Sequence, residues 1–269
     1  MSASNITTVY GKGRYLIANL TDVNGTPIDN VTVFIRLNNE TYNMTTNGSG
    51  QVSMFVDLLP KVYYAKITFD GDDRYINSYV NVPVVVNKLA TQLNATPIAT
   101  VYGKGKYLVA NLTDADGNPI DNVTVFIRLN NETYNITTDG SGQVSLFVDL
   151  LPKQYNAFIA FDGDDRYINS YVNVPVVVNR LDTVLEVTGF TTVYGDGKNV
   201  TAILKDENDN PVENVNVSIK LDNETYVRTT DSNGQLILFA DLLPKYYTAS
   251  VVFAGDERYS SSYDYANVT

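Results

Sequence analysis

The stretch Asp57 to Tyr75, DLLPKVYYAKITFDGDDRY, decides the fold, because it returns as Asp149 to Tyr167 and, more loosely, as Asp241 to Tyr259. Within it Tyr63, Ala65, Ile67 and Phe69 alternate with Tyr64, Lys66, Thr68 and Asp70, the period-2 pattern of a strand with one face in a core. The first two copies end in an Asp-Gly turn. Ahead of the strand, LLPK puts a proline where the chain bends between two sheets, and the tyrosine three residues later recurs as Tyr63, Tyr155 and Tyr247. A tyrosine so placed suits a corner whose hydroxyl ties back to upstream backbone. The plainer alternative is a half-buried ring, but the threefold recurrence in register with proline favours the corner.

Leu59-Pro60-Lys61 recurs at 151 and 243, a constant period of 92 residues. Three domains follow, 1–88, 89–180 and 181–269, each of ordinary size for a sandwich that buries its own core. Residues 5–88 and 97–180 differ at 15 of 84 positions, which marks the first two copies as a recent duplication; the third has drifted further.

The second copy is the guide to the strands. A first strand over Thr91 to Val101 leads to a tight YGKG turn at Tyr102 to Gly105, and a second turns Leu108, Ala110 and Leu112 inward. After the polar DADGNPIDN connection, a third strand carries Val123, Val125, Ile127 and Leu129, an Asn130-Asn131 turn follows, and a fourth spans about Tyr134 to Thr138. DGSG is expected to close a hairpin to a fifth strand, Gln143 to Val148; the sixth is the opening stretch, and the seventh sets Val172, Val174, Val176 and Val178 on one face. Pro83 and Pro175 place that last strand at an edge or bulge. Seven strands, frequent turn signals and no helical periodicity read as an all-β array of three tandem, seven-stranded antiparallel Ig-like sandwiches forming an elongated rod. The first strand of copy one and the last of copy three are expected to be cut short, as in a piece of a longer array.

Composition excludes whole classes of function. With no His and no Cys, zinc-type sites, cysteine or histidine nucleophiles and disulfides are ruled out. A net charge of −11 argues against nucleic-acid and anionic-membrane surfaces. No apolar run is long enough to span a bilayer, and MSASNITTVY has neither the basic segment nor the apolar run of a secretory signal. The acids lie in turns at sandwich ends rather than paired across a cleft, so no enzyme is expected.

The motifs D-x-x-G-x-P-I/V-x-N-V, T-T-x-x-x-G-Q, L-L-P-K-x-Y and F-x-G-D-x-x-Y resemble bacterial Ig-like (Big-type) tandem repeats, above all those of methanogenic archaeal adhesin-like surface proteins, over nearly the whole chain. The resemblance implies an extracellular, cell-surface array that spaces or adheres, monomeric, with neighbouring Ig-like repeats and an unknown glycan or protein ligand as partners, and no catalytic residues. Sixteen Asn-x-Ser/Thr sequons, among them Asn39, Asn131 and Asn223, fit an external location, although strand alternation also favours polar residues two apart. Isopeptide cross-links, which the resemblance also raises, are not expected, since no Lys, Asn and acid triplet recurs; Lys12 and Lys104 become Asp196 in copy three.

Two candidate sites remain. The outward face of the third, sixth and seventh strands carries Phe34, Arg36, Tyr64, Lys66 and Tyr79 in copy one, a platform for sugar rings or a scatter of surface aromatics. Copy three has Ser218, Lys220, Thr248 and Ser250 at the first four positions, so not all repeats share such a role. At each junction an acidic crown is expected: Asp114, Asp116, Asp162 and Asp164 (with Asp139 and Asp165) in copy two, Asp206, Asp209, Asp256 and Glu257 (with Glu207 and Asp231) in copy three. Facing Glu40 or Glu132, these oxygens either gather calcium or only make turns.

Overall fold

The computed structural model describes all residues from Met1 to Thr269 and contains strands but no helix. The first sandwich holds β1 (Ser2–Ala3), β2 (Ile6–Val9), β3 (Arg14–Asn19), β4 (Thr32–Leu37), β5 (Glu40–Thr45), β6 (Gln51–Val56), β7 (Lys61–Phe69) and β8 (Ser78–Asn87). The second holds β9 (Thr91–Ala95), β10 (Ile98–Val101), β11 (Lys106–Asp114), β12 (Thr124–Leu129), β13 (Glu132–Thr137), β14 (Gln143–Val148), β15 (Lys153–Phe161) and β16 (Ser170–Asn179). The third holds β17 (Thr183–Thr188), β18 (Lys198–Asp206), β19 (Asn216–Leu221), β20 (Glu224–Thr229), β21 (Gln235–Ala240), β22 (Tyr247–Phe253) and β23 (Ser262–Val268).

In the second sandwich a sheet of order β14-β11-β9 packs on one of order β10-β16-β15-β12-β13, and the first repeats this plan; in the third the larger sheet has four strands, β20-β19-β22-β23, with only a single parallel Phe190–Val268 bridge in the place of β10. The inward positions of the period-2 pattern fill the space between the sheets: Leu108, Leu112, Ile127 and Ile159 are fully buried. Three separate apolar clusters result, one for each Ig-like sandwich. No buried side-chain polar atom lacks a partner.

Three expectations change. First, the strand expected to run from Thr91 to Val101 breaks at Thr96-Pro97: β9 pairs antiparallel with β11, whereas β10 crosses to the other sheet and pairs parallel with β16. Proline has no N–H to continue a ladder, and the break lets one strand serve both sheets. In the third copy Gly189 takes that place, and a Cβ there would stand 2.0 Å from the Asn267 carbonyl oxygen. Copy one also retains a counterpart of β9, since β1 pairs Ser2 with Asn19 and Ala3 with Ala18.

Second, the fourth strand belongs beside the third. β12 and β13 form the hairpin across Asn130-Asn131, whose φ of 52° and 65° match a turn needing two left-handed residues. DGSG therefore closes no hairpin but carries the chain between sheets. Gly142, at φ 72°, accepts the Leu112 N–H on its carbonyl at 2.8 Å, and a Cβ there would lie 2.4 Å from the Leu112 oxygen.

Third, the seventh strand is an edge only in part. Pro175 stands opposite Asn156, one residue before the pairing with β10 begins at Val176, so its missing N–H falls at the open margin of the ladder.

Candidate functional site

The corner loops orient the sandwich ends. Tyr63 donates its hydroxyl to the Leu59 carbonyl at 2.8 Å, Tyr155 to Leu151 at 2.8 Å and Tyr247 to Leu243 at 3.0 Å. Each tie spans the proline and fixes the entry into the sixth strand, so the preceding loop and the YGKG-type turn share one end of each domain.

That end is where the domains meet. At the boundary of the first and second, Leu89 is tied into the second domain: its N–H donates to the Arg166 carbonyl and its carbonyl accepts from the Ile168 N–H, both at 2.9 Å. Leu89 is buried yet belongs to none of the three core clusters; its place at the domain boundary suits a plug for the junction. Tyr10 meets Tyr167 edge to face at a centroid distance of 5.9 Å, and Lys12 pairs with Asp116. Contact with the Tyr10 hydroxyl raises the Arg166 guanidinium above its ordinary pKa.

The second junction is built from the corresponding parts. Leu181 donates to Arg258 at 3.0 Å and accepts from Ser260 at 2.9 Å, Tyr102 meets Tyr259 at 6.3 Å, and Lys104 pairs with Glu207. The acid has moved by one position relative to Asp116 in the repeat, and the lysine follows it. In the third sandwich the equivalent Tyr194 is 70% exposed, with Asp196 where the lysines stand.

The acidic crown is thus met by lysine and arginine, not by Glu40 and Glu132, whose carboxylates accept from their own neighbours Tyr42 and Tyr134. Its members do not converge: no three acids form a group that would hold a metal ion. The Asp114 carboxylate accepts the backbone N–H of Asp116 at 2.8 Å and of Asn118 at 2.9 Å, and Asp206 repeats this with Asn208 and Asn210. Asp164 caps the N–H groups of Arg166 and Tyr167, and Asp256 those of Arg258 and Tyr259. Asp116 is taken by Lys12, and Asp209 lies 3.9 Å from Lys205; Asp162 and Glu257 stay exposed. Turn chemistry thus engages Asp114, Asp164, Asp206 and Asp256 of the eight acids considered for calcium.

Burial pushes the Asp114 carboxyl up, but hydrogen bonds from Asn118 and Asp116 and the Lys12 charge outweigh it and hold the group below the ordinary carboxylate range. Burial acts likewise on Asp206, where bonds from Asn210 and Asn208 win.

The outer face of the larger sheet differs between domains. In the second, Phe126 and Phe158 lie 6.1 Å apart, Phe158 and Tyr171 5.8 Å apart, with the Arg128 guanidinium over both phenylalanines. In the first, Phe34 is half-buried, while Tyr64 and Tyr79 are 72% and 65% exposed. The sequence reading missed the junction contacts altogether; the recurrence of Tyr-Gly-Lys-Gly and Arg-Tyr in register was the only signal for them.

No family model matches the chain, and no curated protein sequence matches it. Solved structures do show likeness. The bacterial integrin-binding protein invasin is 15% identical with a TM-score of 0.44, covering 88% of this chain and 52% of that one. A segment of titin is 10% identical with a TM-score of 0.41, covering 99% and 95%. A Ca²⁺-stabilised adhesin with which an Antarctic bacterium binds ice is 18% identical with a TM-score of 0.31, covering 100% and 75%. At identities of 10 to 18% these are distant likenesses.

Proposed function

We propose that the chain is a stiff, non-enzymatic stalk segment of an adhesin-like protein at the cell surface. The observation behind this reading is that both junctions use one set of parts, a buried leucine clamped by two backbone hydrogen bonds, an edge-to-face tyrosine pair and a lysine–acid pair. Flexible linkers need none of these. The adhesin-like role and the Big-type and archaeal affinity rest on the repeat motifs, and the external location on the sequons. Strands of about ten residues give roughly 35 Å per domain and roughly 110 Å for three in line. Solution scattering of the full chain is expected to show that extended maximum dimension; a compact profile would overturn the reading.

A second reading, a carbohydrate- or protein-binding module, is favoured by the ring cluster of Phe126, Phe158 and Tyr171 and by the exposed Tyr64 and Tyr79. Exposed rings on a flat sheet face suit stacking on sugars. Binding of a neutral glycan by the full chain, lost on replacing Phe158 and Tyr171 by Ala with unfolding unchanged, would support it.

A further inference from the structure

The first two copies differ at few positions, yet along the sixth strand every outward residue has changed and no inward one has. Val62, Tyr64, Lys66 and Thr68 on β7 face Gln154, Asn156, Phe158 and Ala160 in the repeat, whereas Tyr63, Ala65, Ile67 and Phe69 match Tyr155, Ala157, Ile159 and Phe161. The fold needs the inward set. The outward set is free to differ, and it carries different chemistry in each domain.

In the first domain that chemistry is cationic. Lys66 stands directly opposite Arg36 in the register between β4 and β7. Like charges opposite one another across a sheet repel and cost stability. The second domain avoids this with Phe158 opposite Arg128, and the third with Ser250 opposite Lys220. Lys61 joins the pair at the end of a groove of about 380 Å³ that all three cations line, together with Asn38 and Tyr64. In a chain of net charge −11 none of the three has a carboxylate within ion-pair distance. Lys61 and Lys66 lie instead over the Tyr63 and Tyr79 rings at 5.8 and 5.6 Å. The third domain shows the neutralised alternative: Asp222, at the position of Asn38, pairs with the corner lysine Lys245 at 3.5 Å.

We infer that this groove on the first domain binds an acidic oligosaccharide, its carboxylates held by Arg36, Lys61 and Lys66 and a sugar ring laid on Tyr64. The inference takes its face from the second reading above and is independent of the stalk. Three uncompensated cations supply the charge recognition, and ligand carboxylates relieve the Arg36–Lys66 repulsion. An exposed tyrosine beside them supplies the flat apolar contact that a pyranose ring needs and an acidic peptide does not.

The test is titration calorimetry on the full chain with an oligogalacturonate, its fully methyl-esterified form and poly-L-glutamate. The oligogalacturonate binds, and the ester, with the same rings and no charge, does not. Lys66→Phe together with Tyr64→Asn installs residues that the second domain already carries on the same backbone, so folding is retained and affinity falls about tenfold or more. Asn38→Asp places the third domain's acid beside Lys61 and weakens binding in the same direction. Failure of the oligogalacturonate to bind, or unchanged affinity in the Lys66→Phe variant, overturns the site. Equal binding of the ester overturns charge recognition while leaving neutral stacking on this face standing, and equal binding of poly-L-glutamate overturns the sugar.

Discussion

Replacing Leu181 by Ala tests whether the rod is held by its junction plugs. Leu181 is 6% exposed, lies outside the three core clusters and stands where the second domain passes into the third, so its side chain is placed to serve the contact between domains. The change leaves its two backbone hydrogen bonds to Arg258 and Ser260 in place and removes three carbons from a buried site. At about 0.8 kcal/mol per buried methylene the loss is about 2.4 kcal/mol, the low end of the Leu→Ala range, because a junction closes over a gap more readily than a core does. The other contacts are smaller. The Tyr102–Tyr259 pair contributes about 0.5–1.5 kcal/mol beyond its burial. The Lys104–Glu207 pair, with side chains 49% and 36% exposed, contributes about 0–1 kcal/mol. For a domain of this size each kcal/mol moves the melting temperature by about 4–8 °C, so the third domain's transition should fall by about 10–20 °C. Scanning calorimetry of the full chain, with its three domains, reads this directly, and the first domain's transition should not move. A shift below about 4 °C, typical of an exposed position, would refute the plug.

Tyr155→Phe, which removes the hydroxyl bonded to the Leu151 carbonyl at 2.8 Å, is expected to lower stability by about 1 kcal/mol, read as a shift in denaturant midpoint at constant slope. Gly189→Ala drives a Cβ to within 2.0 Å of the Asn267 oxygen and should destabilise the third domain by about 1–3 kcal/mol while Gly117→Ser, in an open turn, acts only through its φ of 86°. Asp114 and Asp206 have folded-state pKa values below the unfolded ones, so their stabilisation is complete above about pH 4 and is lost as pH falls further through the folded values; acid unfolding of Asp206→Asn should lack that component. Because turn N–H groups and cations occupy the junction carboxylates, millimolar calcium against chelator at fixed ionic strength should leave the melting temperatures equal, and a rise would show that the loops reorganise around an ion.

Much of this molecule is legible from its sequence because a strand's alternation is a local property. Ala65, Ile67 and Phe69 announce a buried face whichever strands they meet, and Leu-Leu-Pro-Lys-x-Tyr joins a corner's donor to its acceptor within five residues. Alternation does not say which neighbour a strand pairs with. β13 buries little of either face, so its place beside β12 rather than β14 was decided by the left-handed Asn130-Asn131 turn and by the packing of the two sheets. The junctions lay further out of reach. Lys12 and Asp116 are 104 residues apart, and the end of one sandwich had to be set against the start of the next before a lysine, and not Glu40, faced those acids. The turn N–H groups that Asp114 and Asp164 accept lie within four residues and are a local matter; the opposite charge on Lys12 is what tertiary structure supplied.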